Sequence, residues 1–299
     1  MSDSVALPPR IFRAEVVSVR RLTPVMTRVV LGGPGLADFR STGVGDEYVR
    51  LFLPAAGQTE PVLPTATATG WDYPDGVEPG PMRTYTVRAV DPGAGTVTID
   101  MVLHDGGVAA AWARTAKPGD LVGLNTPDAL YAPPPDMAWQ LIVADAAGLP
   151  AAARLLEQTP PGVRTRAVLE VPTAADRQQI PVHDDIDICW VYGGNGQRAS
   201  CLEQVVRTAE RPTGPGYIWV AGETRTMRGV RRHLRHELRL PCTAYKVVGY
   251  WQVDNEAWTA RYQALPEATR QELMAMWDCD RDTEDIQDEW TARLESLGL

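Results

Sequence analysis

Arg83-Thr84-Tyr85-Thr86-Val87-Arg88 is the stretch from which the rest of the chain can be read. It follows a Pro79-Gly80-Pro81 loop and alternates like a strand. Arg83, Tyr85 and Val87 then face one side, and Thr84, Thr86 and Arg88 the other. A guanidinium pairs with phosphate, an aromatic ring stacks on a flat ring system, and a hydroxyl bonds a ring edge. The set suits a flat, anionic cofactor. The same letters fit an edge strand with alternating polar residues, and spacing alone leaves both readings open.

Upstream, Phe12–Val19, Met26–Leu31 and Tyr48–Leu53 read as strands, with a Gly-Gly-Pro-Gly turn after the second. Residues 55–81 are rich in Pro, Gly and Thr and read as an exposed loop. Downstream, residues 83–90 and Thr96–Leu103 flank an Asp91-Pro92-Gly93 turn and read as a hairpin. Short strands at this spacing predict an antiparallel barrel. Gly107–Ala116 is Ala-rich and predicts a helix inside that β-rich region.

Pro133-Pro134-Pro135 can continue neither a helix nor a central strand and marks a boundary. Beyond it the pattern alternates: strands at 140–144, 166–171, 186–192, 216–223 and 244–250, helices at 149–157, 201–210 and 226–240. That βαβ order predicts a parallel sheet whose ligands sit at the carboxyl ends of the strands, at Asp145 and at Gly222-Glu223. Ala257–Met276 and Thr283–Leu297 read as helices, with Trp258, Trp277 and Trp290 as anchors. The expected division is 1–132, 136–253 and 254–299.

Charge is unevenly distributed. Residues 254–299 hold twelve acidic side chains against four arginines, a net −8 of the −9 carried by all 299 residues. The remainder is close to neutral, so a nucleic-acid partner is not expected. No run of ~18 apolar residues predicts a membrane span. No basic-apolar leader precedes Asp3, so a cytoplasmic location is expected. Cys189, Cys201, Cys242 and Cys279 show no Cys-x-x-Cys spacing, and His233 and His236 are flanked by Arg232 and Arg235. No resident metal is expected.

The hexapeptide resembles the Arg-x-Tyr-Ser/Thr flavin signature of the ferredoxin-reductase-like superfamily, and Arg88 resembles its siderophore-interacting branch. Three further segments match that branch in order: Leu103-His104-Asp105-Gly106-Gly107-Val108-Ala109-Ala110-Ala111-Trp112-Ala113, Ala144–Ala151, and Tyr217–Glu223 followed by Val247–Trp251. Val108 and Ala110 stand where the family usually has Pro and Ser, and Ala144 and Ala146 where it has Gly and Glu.

The resemblance implies a two-domain ferredoxin-reductase-like fold: an antiparallel β-barrel FAD domain and an α/β parallel-sheet nucleotide domain, here with a helical C-terminal extension. It implies a flavin-dependent oxidoreductase that reduces ferric siderophores. Arg83, Thr84, Tyr85 and Thr86 would hold FAD, with Tyr85 stacked on the isoalloxazine and Thr86 beside its N5. His104, Gly107, Val108, Ala109, Ala110 and Trp112 would hold the pyrophosphate.

Asp145, Gly222 and Glu223 would meet NADH or NADPH, although a ferredoxin is an alternative donor. Arg50 and Lys246 are the candidate cations for an anionic ferric siderophore, each with a plain solvated-charge reading beside it. Arg225, Arg228, Arg231, Arg232, Arg235 and Arg239 either meet a phosphate or face the acidic tail, which would then restrict nucleotide access. No covalent nucleophile is expected. Two other readings stay open: a general flavin or ferredoxin-linked reductase, and a siderophore-binding protein with little redox turnover.

Overall fold

The computed structural model describes residues 7–277 and 283–299, in two compact units, Met1–Tyr250 and Trp251–Leu299. Asp3 and Cys279 lie outside the described residues.

The first unit opens with β1 (Ile11–Thr23), β2 (Met26–Gly32) and β3 (Tyr48–Phe52), then β4 (Thr65–Ala66) and β5 (Trp71–Asp72). It continues with β6 (Met82–Thr86), β7 (Ala89–Asp91), β8 (Thr96–Val102), α1 (Val108–Thr115) and β9 (Leu121–Asn125). Seven of these strands form one sheet in the order β6-β3-β9-β1-β2-β8-β7, and its registered pairs are antiparallel. Its two edge strands, β6 and β7, are separated in the chain only by Val87 and Arg88. A seven-stranded sheet whose edges are two residues apart has to roll up, which makes it the expected barrel. The two linking amides complete the closure: Val87 N donates to Glu47 O (2.9 Å) and Arg88 N to Thr98 O (2.8 Å). Alternating apolar residues fill the interior, among them Val16, Val29, Leu31, Val49, Leu51, Ile99 and Leu124.

The hexapeptide therefore spans more than one strand. It starts in β6, ends its pairing at Thr86, and uses Val87-Arg88 to cross to the other sheet edge. Two further expectations need correction in this half. Residues 55–81 hold the β4–β5 hairpin, where Trp71 packs edge-on against Phe52 and Tyr73. Strand β9 has no counterpart in the sequence reading. Gly123 interrupts its apolar run, and a Cβ there would lie 2.2 Å from the Leu63 side chain.

The second half contains β10 (Trp139–Ala144), α2 (Leu149–Gln158), β11 (Arg164–Val171), β12 (Ile186–Tyr192), α3 (Leu202–Thr208), β13 (Gly216–Glu223), α4 (Thr224–Arg232) and β14 (Tyr245–Trp251). The strand order is β12-β11-β10-β13-β14, and the β12/β11, β11/β10 and β10/β13 pairs are parallel. β10 is buried throughout, as a strand covered on both faces must be. The basic helix is shorter than expected: α4 ends at Arg232 and passes into a π-helical turn, His233–Glu237. There His233 Nδ1 and both Nη atoms of Arg207 meet Glu237, which reorganises the last turn.

Barrel and parallel sheet meet at a seam with buried charges. From α2, Arg154 Nη1 donates to Glu47 Oε1 (2.6 Å) and to Val87 O (2.6 Å), and Nη2 to Ser41 Oγ (3.3 Å). The second oxygen of Glu47 accepts from the amide and hydroxyl of Thr42. Glu157, also on α2, receives both Nη atoms of Arg88 at 2.9 and 2.5 Å. Asp46 accepts the amides of Leu130 and Tyr131 and the indole of Trp219.

The second unit contains α5 (Asn255–Gln263), α6 (Glu267–Ala275) and α7 (Thr283–Ser296). The expected single helix over 257–276 is broken because Pro266 stands at the α6 N-cap, where its ring ends the preceding helix. Trp277 and Trp290 meet edge-on at 6.2 Å, and Trp258 stacks on Tyr262 at 5.3 Å. Among the described residues, no helix is long and apolar enough to cross a membrane.

Candidate functional site

The β3–β6 ladder positions the first group of candidates. Its register sets Arg50 opposite Thr84 and Tyr48 opposite Thr86, so these four share one face. Arg83 and Tyr85 lie opposite Leu51 and Val49 on the other. Tyr85 accordingly packs against the barrel core, and burial raises its phenol well above the ordinary value. Arg83 is half-buried and donates to Met82 O (2.8 Å). Arg50 donates to the Thr84 hydroxyl and sits 5.9 Å above the Tyr48 ring. Its backbone amide is held by Asn125 Oδ1 (2.6 Å), so β9 helps fix its position.

Thr86 is buried, and among the described residues its hydroxyl is only partly satisfied. The Tyr250 phenol faces it. Burial raises that phenol's pKa, and Thr86 offsets part of the rise. Asp46 and Tyr48 are also close to Tyr250. Asp46 is 1% exposed and its pKa is raised by burial, with its three donors and Lys246 pulling the other way. Arg50 thus sits against Tyr48 of an Asp46-Tyr48-Tyr250 group, and the charge of Lys246 acts on its Asp46. The acid and the two tyrosines were missed as site residues in the sequence. The Gly45-Asp46-Glu47 acid pair directly before a strand was the available signal.

The helix start follows β8, which contacts both β6 and α1. Gly106 and Gly107 have φ of 80° and 78°, in the region open to glycine. Gly107 is the α1 N-cap and no side chain caps it, so the first-turn amides at Val108, Ala109 and Ala110 have no partner within the helix. The His104 ring lies over Gly107, with Cε1 3.0 Å from where a Cβ would stand. His104 Nδ1 approaches Asp105 O (3.1 Å), and Arg114 returns from α1 to hold His104 O (2.7 Å) and Asp105. Ala109 and Ala110 are buried, Trp112 packs on the barrel core, and Val108 remains exposed.

These residues fit a flavin dinucleotide. A buried, partly satisfied hydroxyl could bond the donors or acceptors of a ring edge. An uncapped helix start with left-handed glycines suits a pyrophosphate.

Asp145, Gly222 and Glu223 do come together, at the carboxyl ends of the adjacent strands β10 and β13. A Cβ on Gly222 would lie 3.0 Å from Asp145 Oδ2. Both carboxylates have local duties: Asp145 Oδ1 accepts the amides of Ala147 (2.9 Å) and Gly148 (3.1 Å), and Glu223 caps α4 through Thr226 N (2.9 Å). Asn195, at φ 56°, adds a bond from its Oδ1 to the Ala146 amide (2.9 Å).

Comparison with known proteins gives the family. The siderophore-interacting FAD-binding domain matches residues 15–131, and the siderophore-interacting protein pattern matches residues 137–254. The chain belongs to the siderophore-interacting protein family. A siderophore utilization protein from T. fusca is 33% identical with a TM-score of 0.74, covering 83% of this chain and 95% of that one. The NADPH-dependent ferric-chelate reductase of Escherichia coli (strain K12) is 31% identical over 239 residues, 79% of this chain and 91% of that protein. A ferredoxin reductase in carbazole 1,9a-dioxygenase, at 18% identity, shares the ferredoxin-reductase-like fold (TM-score 0.61, 82% of this chain and 71% of that one).

Proposed function

We propose that this family member is an FAD-dependent reductase of ferric siderophores, working in the cytoplasm with NADH, NADPH or a ferredoxin as donor. The observation that carries the reading is the buried Thr86 hydroxyl, met within the described residues by the Tyr250 phenol and on the same ladder face as Thr84 and Arg50. That face pairs a flavin-edge donor with a cation suited to an anionic iron complex. Bound FAD would supply the chemistry, taking up two electrons from a nicotinamide and releasing them singly to Fe(III).

The chain's own residues do the rest. Arg83 and the α1 amides hold phosphate, and the Thr84–Thr86 strand orients the ring. The core packing of Tyr85 and Trp112 keeps water from one side. Arg50 and Lys246 draw in and orient the ferric complex. Fe(II) binds hard oxygen donors more weakly than Fe(III), so reduction releases the metal. The proposed division is 1–132 for FAD, 136–253 for the donor and 254–299 as an extension.

A second reading, a siderophore-binding protein with little turnover, is favoured by one observation. The carboxylates of Asp145 and Glu223 are engaged in capping loops of their own. Anaerobic mixing of FAD-loaded protein with NADH, NADPH or reduced ferredoxin, then with hydroxamate or catecholate ferric complexes under Fe(II) capture, separates the two. Fe(II) release at many turnovers supports the reductase; saturable binding without release supports the second reading.

A further inference from the structure

The two charged residues of α2 that face the barrel, Arg154 and Glu157, are three apart and so share one face of the helix. They engage consecutive residues of the barrel. Arg154 donates to Val87 O, and Glu157 takes both Nη atoms of Arg88. Val87 and Arg88 directly follow Thr86 and carry the chain between the two edges of the barrel sheet.

Glu47 closes the arrangement from the other side. Its backbone oxygen accepts Val87 N (2.9 Å), and its carboxylate binds Arg154 (2.6 Å). Both backbone polar groups of Val87 are therefore fixed, the N–H by β3's leader and the C=O by α2. Glu47 is 0% exposed, and the Arg154 side chain 10%. In so dry a setting, charge-assisted bonds are short and directional.

The other end of α2 is equally constrained. The loop that starts it is Asp145–Gly148, where Asp145 Oδ1 gathers the Ala147 and Gly148 amides and Asn195 holds the Ala146 amide. Gly148 sits so close to β13 that a Cβ would be 3.0 Å from Ala221 Cβ. One short helix thus begins at the carboxyl edge of the parallel sheet and ends on the residues after Thr86.

We propose that Arg154 is a positioning residue for the flavin site: through Val87 O and Glu47 it sets where Thr86 presents its hydroxyl, and Glu157 with Arg88 assists. This rests on the flavin reading above. Arg154 touches neither cofactor nor substrate, so the effect must appear in how FAD is bound rather than in a lost contact to it. An Arg154→Met side chain keeps the apolar stem and removes the fork that reaches both acceptors. Arg154→Lys restores a charge for Glu47 with a single point donor.

The test is FAD titration of the full-length chain, stripped of flavin, followed by quenching of flavin fluorescence and by visible-region circular dichroism of the bound flavin. Thermal unfolding of each FAD-free variant is measured alongside. Arg154→Met is expected to unfold cooperatively, to bind FAD at least tenfold more weakly, and to alter the flavin dichroism. Arg154→Lys should recover part of the affinity and none of the original band shape. FAD binding and dichroism equal to wild type in Arg154→Met would overturn the proposal. Should Arg154→Met not fold, Glu157→Gln replaces it: it leaves Arg154–Glu47 intact, and a two- to fivefold weaker FAD with a shifted dichroism is expected. Unchanged binding and dichroism in that variant overturns the proposal equally. Failure of the wild-type chain to bind FAD at all would remove the flavin reading itself, a result distinct from either.

Discussion

Replacing Thr86 by Val should stabilise the FAD-free protein and weaken FAD binding, two effects of opposite sign from one hydroxyl. Val keeps the β-branched shape and strand preference, so β6 should pair with β3 unchanged. What changes is a buried hydroxyl that the described residues satisfy only in part. Burying such a group costs about 1–3 kcal/mol, and the partial contact with Tyr250 recovers some of it. A gain of about 0.5–1.5 kcal/mol in unfolding free energy is therefore expected.

In the FAD complex the same hydroxyl would be satisfied. Its loss should cost an ordinary hydrogen bond of about 0.5–1.5 kcal/mol, or ~2- to 12-fold in dissociation constant. Urea unfolding of the stripped protein and fluorescence titration with FAD measure the two quantities. Destabilisation beyond about 1 kcal/mol would mean that Tyr250 already satisfies Thr86. An unchanged FAD dissociation constant would mean that Thr86 does not face the flavin. Either result refutes the reasoning.

Gly107→Ala should cost about 1–3 kcal/mol, because its φ of 78° with ψ of 134° is strained for any side chain and the new Cβ meets His104; FAD titration should show a parallel loss of affinity. Arg50→Ala should leave FAD affinity within about threefold while raising KM for anionic ferric complexes and flattening its salt dependence, as removal of a steering charge does; a KM unchanged at low salt contradicts this. Glu237 is held down at about 2, first by Arg207 and then by His233. A depressed carboxyl contributes stability above its unfolded value, and that contribution is lost as pH falls towards 2. Carboxyl NMR titration should find Glu237 at the bottom of the acid range, and Arg207→Ala should return it upward.

Much of the architecture was legible because apolar residues repeat at strand spacing or run unbroken. β2, β3, β8, β10 and β13 follow such runs closely. Where the reading failed, a tertiary demand had overridden the local pattern. β9 carries a glycine that makes room for Leu63. The hexapeptide alternates like one strand, yet barrel closure divides it, since Thr86 pairs with Tyr48 and Ala89 with Thr98. Among the candidates, the set proposed to face the flavin was legible as a motif. Asp46, Tyr48 and Tyr250 were not, because Tyr250 lies some two hundred residues beyond the Asp46–Tyr48 stretch and only folding brings them together. Asp145 and Glu223 stand at the strand ends as expected, but no sequence pattern distinguishes a ligand's carboxylate from one that binds its own loop amides.

The buried charges at the seam also bear on how the two halves are held in register. Glu47 and Asp46 are 0% and 1% exposed, and charges are rarely buried without a partner. An apolar seam of the same size would adhere as well or better, since paired buried charges often break even against hydrophobic replacements. Adhesion therefore does not explain them. Removing one partner is another matter, costing about 3–5 kcal/mol because the remaining charge is stranded. The pairs thus penalise every misregistered arrangement far more than they reward the correct one. A slide of α2 by one turn, about 5.4 Å, would separate Arg154 from Glu47, Ser41 and Val87 together. Apolar contacts tolerate such slides. Under the proposed reading, with the donor on one half and the flavin on the other, function would depend on their spacing, and directional charge pairs supply that constraint where greasy contacts do not.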